Sequence, residues 1–386
     1  MKKVFSILLT VCFLCTFAQG ALAKENRLEL APNAKSAVLI ERDTGKILYE
    51  KNSDEQLPPA SMTKIMTMIL IMDAFDKGKL KLTDKVRTSE YAASMGGSQI
   101  FLEPGEEMTA DEMLRGIAIG SGNDASVAMA EHLGGSEDGF VELMNKKAQE
   151  LGLKNTHFEN TTGLPEKGHY STAHDMAVMG KELLKYERIT KYTGKYEDYL
   201  RTDTEKKFWL VNTNRLVKFY PGVDGVKTGF TNEAKYCLTA TAKKGNMRVI
   251  AVVMGAETPK DRNNQVTKML DYAFSQYETH PLYKRSEVIS NQKVSKGSDK
   301  KVNLVTSEPI SLLTKKGEST KNVTKEVIPK KNLSAPLKKG EVLGILVIKK
   351  DGEVVAKSPL AAEKDIQAAG WWSLFKRVMS DFTKAG

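Results

Sequence analysis

Apolar and polar positions alternate through "KSAVLIERDTGKILYEKN" (35–52), which predicts two short strands turning at Asp43-Thr44-Gly45. The segment from Ala60 to Phe75 is instead apolar nearly all round, as expected of a helix buried at the centre of a domain. Charged turns, "GKLKLTDK" and "EPGEEMT", separate it from a helical stretch "ADEMLRGIAIGSGNDASVAMAEHLGG" (110–135). A further helix covers "SEDGFVELMNKKAQELGL" (136–153), with Ser136 and Glu137 as its start signal and Gly152 near its end. Next, "GVDGVKTGF", "KYCLTATAKKGN" and "MRVIAVVMGA" read as three strands with tight turns. "TPKDRNNQVTKMLDYAFSQYE" then places Val266, Met269, Leu270, Ala273, Phe274 and Tyr277 on one helical stripe. Strands at both ends with helices between predict a mixed sheet whose first and last segments pair. That is an α/β sandwich and not a βαβ repeat.

From about Lys284 the pattern becomes period-2 runs bounded by Gly, Pro and Asp-Gly turns, which predicts a small all-β domain without a catalytic constellation. The first 23 residues read as a secretory signal: Lys2 and Lys3, an apolar run from Val4 to Ala18, then Ala21-Leu22-Ala23 as the cleavage site. The mature chain is expected outside the cytoplasm, peripherally attached to the outer face of the cytoplasmic membrane or secreted. Cys12 and Cys15 leave with the signal, so Cys237 has no partner for an internal disulfide and the fold must be held by its core. The last stretch, "WWSLFKRVMSDFTKAG", spaces Trp371, Leu374, Phe375, Val378, Met379 and Phe382 as one helical face with Lys376, Arg377 and Lys384 elsewhere. This is the pattern of a helix lying in a membrane interface; the alternative is a helix docked on its own protein. The expected division is 1–23 signal, 24–283 catalytic domain, 284–365 β-rich domain and 366–386 amphipathic helix.

The formal net charge of +10 is unevenly spread. Residues 24–283 carry 35 Lys/Arg against 37 Asp/Glu, whereas residues 284–365 carry 18 against 10. A basic surplus confined to the C-terminal third of an exported chain points to membrane headgroups or wall polymers, or to a merely solvated surface, and not to nucleic acid.

The candidate chemistry begins with "PPASMTKIMTMILIM" (58–72). Ser61 and Lys64 are spaced to share a helix face, and burial among Met62, Ile65, Met66 and Met68 favours the neutral amine, a usable general base for a serine nucleophile. Ser61 at a helix start also has free backbone N–H groups for an oxyanion. S-x-x-K recurs at Ser290, Ser298 and Ser373, so the tetrad alone decides nothing. Its company does more. "IGSGNDAS" supplies Ser121 as a proton relay and Asn123 to hold a substrate amide, and "VKTGF" supplies Lys227 and Thr228 for a carboxylate. Gly229 there allows close approach to the strand.

Ser61-Met62-Thr63-Lys64, Ser121-Gly122-Asn123 and Lys227-Thr228-Gly229 match, in order and spacing, the motifs of low-molecular-weight penicillin-binding proteins that act as D-alanyl-D-alanine carboxypeptidases. The chain resembles that family over nearly its whole mature length, including "FLEPGEEMT", "LGLKNTHFENTTGL", the β-rich domain and the amphipathic tail. It is most similar to the carboxypeptidases of endospore-forming bacteria, including a sporulation-associated type. The resemblance implies a β-lactamase/transpeptidase-like sandwich, an antiparallel sheet with helices on both sides. It also implies attack by Ser61 on the penultimate D-alanine of a peptidoglycan stem pentapeptide, with Lys64 as base, an oxyanion hole from the N–H groups of Ser61 and Phe230, and covalent inhibition by β-lactams. No cofactor or metal is implied. Some relatives add an arginine upstream of the K-T-G strand, for which Arg215 is the candidate.

A class A β-lactamase needs an E-x-x-L-N element, and the nearest run, Glu142-Leu143-Met144-Asn145, has the wrong spacing. For a zinc peptidase, His169 and His174 beside Asp175 form only a near pair without H-E-x-x-H, and local turn hydrogen bonding is expected of them. Ser121 lacks the G-x-S-x-G spacing of a Ser-His-Asp hydrolase. A non-catalytic wall-binding relic would keep the fold without turnover.

Overall fold

The computed structural model describes residues 28–372 and 374–376. The signal-peptide reading and most of the amphipathic tail lie outside the described residues. Strands β1 (Ser36–Glu41) and β2 (Ile47–Lys51) form the expected hairpin, with Leu39 opposite Tyr49. Its turn is held by the Glu41 carboxylate, which accepts hydrogen bonds from the Asp43 and Thr44 amides and the Thr44 hydroxyl. Two small hairpins follow, β3 (Lys85–Arg87) with β4 (Glu107–Thr109) and β5 (Glu197–Leu200) with β6 (Phe208–Val211). Strands β7 (Val223–Thr231), β8 (Lys235–Lys244) and β9 (Met247–Ala256) then complete a five-stranded sheet of order β2-β1-β9-β8-β7. The first and last strands of the domain meet at its centre, with Val38 opposite Val252. Every pairing in it is antiparallel, so the sheet is not mixed.

Both faces are covered, and residue alternation shows how. Val38 and Ile40 of β1 enter one core; Ala37 and Leu39 enter the other. The second core is closed by α6 (Pro259–Gln276) through Val266, Met269, Leu270 and Ala273, the stripe expected from the sequence apart from the half-buried Phe274 and Tyr277. The first contains α1 (Lys64–Asp76), buried all round through Ile65, Met66, Met68, Ile69, Ile71 and Met72. Because α1 has no solvent face near its start, Lys64 is fully buried.

The stretch 110–135 is not one helix. It divides into α2 (Ala110–Arg115), a wide turn over Gly116–Gly120, and α3 (Asn123–Gly134). Ser121 takes φ 65°, a left-handed conformation, and the amide of Asn123 donates to the Ser98 carbonyl instead of a carbonyl of the preceding turn. α4 (Glu137–Glu150) starts where expected, with the Ser136 hydroxyl accepting from Gly139 N–H. An additional helix, α5 (Ala173–Leu183), packs in the first core and is capped by Thr172.

The all-β unit starts earlier than the pattern indicates. β10 (Tyr277–Tyr283) pairs with β13 (Ile310–Lys315), so the chain enters this unit directly after α6 and not at 284. Its main sheet has the order β11-β12-β16-β15-β14, from β11 (Val288–Lys293), β12 (Lys301–Thr306), β14 (Val323–Pro329), β15 (Val342–Lys350) and β16 (Glu353–Ala362). Ile366 is fully buried in this core and bridges Leu337, so it belongs here and not to the terminal helix. Ser311 Oγ donates to Asp43 Oδ2 at 2.7 Å, tying this unit to the β1–β2 turn. Trp371, Trp372 and Phe375 are exposed and stack on one another. No helix among the described residues is long and apolar enough to cross a membrane.

Candidate active site

Ser61 lies in a single 3₁₀ turn, Ala60–Thr63, that runs into α1, placing its hydroxyl one turn from Lys64. Lys64 Nζ contacts Ser61 Oγ at 3.1 Å, Asn123 Oδ1 at 2.6 Å and the Thr162 carbonyl at 2.9 Å. Asn123 donates its Nδ2 to the Gly96 carbonyl at 2.7 Å, which fixes Oδ1 as the atom facing Lys64. The Asn123 oxygen and the Thr162 carbonyl can only accept. A neutral amine has two N–H bonds for these two acceptors, and its lone pair is then left toward the Ser61 hydroxyl. Burial holds Lys64 well below its ordinary lysine value; the positive charge of Lys227 pushes the same way, and Asp124 opposes both.

Each partner is held by its own local chemistry. Thr162 sits in a tight loop closed by the Asn160 side chain, whose Oδ1 accepts from the Thr162 and Gly163 amides. Gly163 has φ +85°, and a Cβ there would lie 1.8 Å from the Ala60 carbonyl oxygen, so only glycine lets this loop close on the Ser61 turn. Asn145 clamps the loop from α4, exchanging hydrogen bonds with the Phe158 main chain in both directions. Asp124 accepts from the amides of Ile100 and Leu102, and so braces the segment carrying Ser121 and Asn123. Ser121 is buried at the break between α2 and α3.

β7 closes the opposite wall. A Cβ on Gly229 would meet the Pro59 carbonyl oxygen at 2.7 Å, so the strand lies directly against the Ser61 turn. Lys227 is buried with its Nζ on the Thr228 carbonyl at 3.1 Å, and Thr228 donates its hydroxyl to Thr213 Oγ1 at 2.7 Å. Burial, with Arg262 adding to it, pushes Lys227 down to about 7. Phe230 is exposed and packs on Tyr236, ring centroids 4.4 Å apart.

Arg215 is not brought to this wall. It is exposed ahead of a four-residue helix, and its guanidinium lies over Tyr196 and donates to that hydroxyl at 2.7 Å. The arginine that does approach Lys227 is Arg262, in the first turn of α6, which sequence reasoning missed because no motif marks it. Arg262 is buried and donates to Asn263 Oδ1, and burial lowers it to about 10. Among the described residues neither Lys227 nor Arg262 forms an ion pair. Neither buried basic group is thus balanced by a protein carboxylate among the described residues.

His169 engages in the local hydrogen bonding expected of it. Its Nδ1 accepts from Glu159 N–H at 3.1 Å, so its Nε2–H donates to Thr63 Oγ1 at 2.8 Å, within the Ser61–Lys64 turn. His174 Nδ1 faces Asp175 Oδ1 at 3.3 Å.

A sequence profile described as "D-alanyl-D-alanine carboxypeptidase" matches residues 23–258. The chain belongs to the D-alanyl-D-alanine carboxypeptidase family. A second profile, "Penicillin-binding protein 5, C-terminal domain", matches residues 277–368 of this carboxypeptidase, beginning where β10 begins. The chain is 70% identical over 387 residues to D-alanyl-D-alanine carboxypeptidase DacF of Bacillus subtilis, covering all of both chains. It is 37% identical to DacC of Escherichia coli, covering 93% of this chain and 91% of the relative. The solved penicillin-binding protein 5 of Haemophilus influenzae superposes with a TM-score of 0.68 at 35% identity, covering 87% of this chain and 98% of that one. The expected fold class and the expected enzyme, a serine-type D-Ala-D-Ala carboxypeptidase of the cell wall that binds penicillin, are both borne out.

Burial lowers His169 to about 4, against an ordinary value near 6.5. A base whose folded value is depressed contributes stability that is complete above its unfolded value and is lost as pH falls toward the folded one. Acid should therefore destabilise the carboxypeptidase between about pH 6.5 and pH 4 by on the order of 3 kcal/mol through this residue. Denaturant melts across that range should flatten in His169→Gln if it alone is responsible.

Proposed function

We propose that Ser61 is the acyl-ester nucleophile and Lys64 its general base, with D-alanine as leaving group and water completing hydrolysis of the acyl-enzyme. The observation that carries this is the environment of the fully buried Lys64, where Asn123 Oδ1 and the Thr162 carbonyl take two N–H bonds and a lone pair is left for Ser61. The backbone N–H groups of Ser61 and Phe230 serve as the oxyanion hole. Ser121 relays a proton to the leaving amine, while Asn123 both orients Lys64 and holds a substrate amide. The terminal carboxylate of a peptidoglycan stem pentapeptide binds Lys227, Thr228 and Gly229, with Arg262 as the second cation in place of Arg215. β-Lactams acylate the same serine.

Ser61→Ala should abolish both labelling by fluorescent penicillin and D-alanine release; labelling that persists at another serine overturns the assignment. Lys64→Ala should slow acylation by about 10²- to 10⁴-fold, the usual worth of a positioned base. In the wild type, acylation should slow as pH falls and Lys64 takes up a proton, whereas a flat acid limb removes Lys64 from the role of base. Arg262→Gln, which removes one charge-assisted contact to the carboxylate, should raise KM about 10- to 100-fold with a smaller change in kcat. An effect confined to kcat would contradict carboxylate binding.

The enzyme acts outside the cytoplasm, and we assign residues 1–23 to its export and the tail after Gly370 to peripheral attachment. The exposed stack of Trp371, Trp372 and Phe375, with Lys376 beside Trp372, supports an interfacial role. Deleting residues 371–386 should release the protein from anionic liposomes and leave soluble activity intact; unchanged partitioning favours a docked helix.

A further inference from the structure

A groove of about 700 Å³ lies where the catalytic unit meets the all-β unit, within the usual range for a ligand pocket. Its walls come from the β1–β2 turn, the chain after α5, the β8–β9 turn, the end of β10 and the β12–β13 turn. None of the residues placed at the active site lines it. Two contacts between the units border it. One is the Ser311–Asp43 hydrogen bond already described, and the other is made by Arg285, whose guanidinium donates to the Lys185 carbonyl at 3.1 Å.

Six basic side chains line this groove against three carboxylates. Three of the six are already paired: Arg42 with Asp43, Lys185 with Glu182 and Arg248 with Asp224. Lys243, Lys284 and Arg285 are exposed and form no ion pair among the described residues, and Glu187 is the one lining carboxylate in the same state. Arg42 is buried, and its Nε has no hydrogen-bond partner although its other two guanidinium nitrogens are engaged. Lys284 and Arg285 are also the first two residues of the stretch that carries the chain's basic surplus. The potential in the groove is therefore positive and is focused between its walls.

Shape selects among anions. The unpaired cations are exposed, so a single small anion would be screened by salt and held weakly. A chain with a charge on every repeat engages several of them at once, each contact raising the effective concentration of the next. Lysine and arginine together suit phosphate, to which the planar guanidinium donates two parallel hydrogen bonds. A flat bilayer surface does not follow a concave junction between two units.

We infer that this groove binds an anionic polymer with a phosphate in each repeat, lying along Lys243, Lys284 and Arg285. The test is to titrate the full enzyme at low ionic strength with long-chain inorganic polyphosphate, and separately with pyrophosphate and with anionic liposomes. Wild type should bind the polymer about tenfold or more tightly than pyrophosphate, with affinity falling as salt rises. The triple variant Lys243→Gln, Lys284→Gln, Arg285→Gln should bind the polymer about 10- to 100-fold more weakly, the combined scale of three exposed charge pairs. Its D-alanine release and its partitioning to liposomes should stay at the wild-type level, which also shows that it folds. A second variant with the same loss of charge, Lys330→Gln, Lys331→Gln, Lys338→Gln, alters exposed lysines of the all-β unit outside the groove and should keep wild-type affinity. Equal weakening in the two variants means diffuse charge and overturns the groove as the site. Equal affinity for pyrophosphate and polymer overturns the polymer as ligand. Loss of liposome partitioning in the first variant with polymer binding unchanged assigns these cations to a membrane and overturns the inference as well.

Discussion

The burial of one amine organises this molecule. An ammonium group sealed among methionine and isoleucine side chains would be costly, so the site is built to accept the neutral form. That requirement dictates an α1 without a solvent face, an oxygen-forward Asn123 and a Thr162 carbonyl held in a loop that closes only because residue 163 has no Cβ. Lys227, a second buried lysine, reinforces the effect from across the cleft. Removing any of these supports would loosen the others, since each also fixes where Lys64 Nζ can lie.

The sheet gives the cleft one of its walls. Pairing β1 between β2 and β9 leaves β7 at the margin, where main-chain groups face the Ser61 turn instead of another strand. Lys227 and Gly229 follow closely on that margin, so a buried lysine lies next to the point where the strand meets the Ser61 turn.

Much of this was legible in the sequence, for identifiable reasons. The period-2 runs gave the strands, and the all-round apolarity of 60–75 placed Lys64 in a buried helix beside Ser61. Asn123 and Lys227 came from motif order. The failures share a cause: they depend on where a side chain points or where a helix ends, which spacing does not encode. Arg262 sits 34 residues beyond Thr228 in an unremarkable amphipathic helix, and only packing turns it inward. Arg215 was nearer in sequence, yet its side chain finds an aromatic face at Tyr196. Residues 110–135 read as one helix because their apolar spacing continues across Ser121, whose left-handed backbone is a local strain invisible to periodicity. The start of the β-rich unit was placed seven residues late, at 284 instead of 277, because Tyr277 fits both the stripe of α6 and the first position of β10.

Lys64 draws its three contacts from residues 61, 123 and 162, far apart in the chain, and the buried basic groups of the opposite wall add 227 and 262. No fragment or loosely collapsed form brings all five together, because each segment is positioned by a different part of the core. On the assignment proposed for Ser61, its reactivity is therefore a report on tertiary order. On that same assignment, a chain that takes up penicillin covalently has already folded, and the stoichiometry of labelling counts native molecules in a preparation independently of any melting curve.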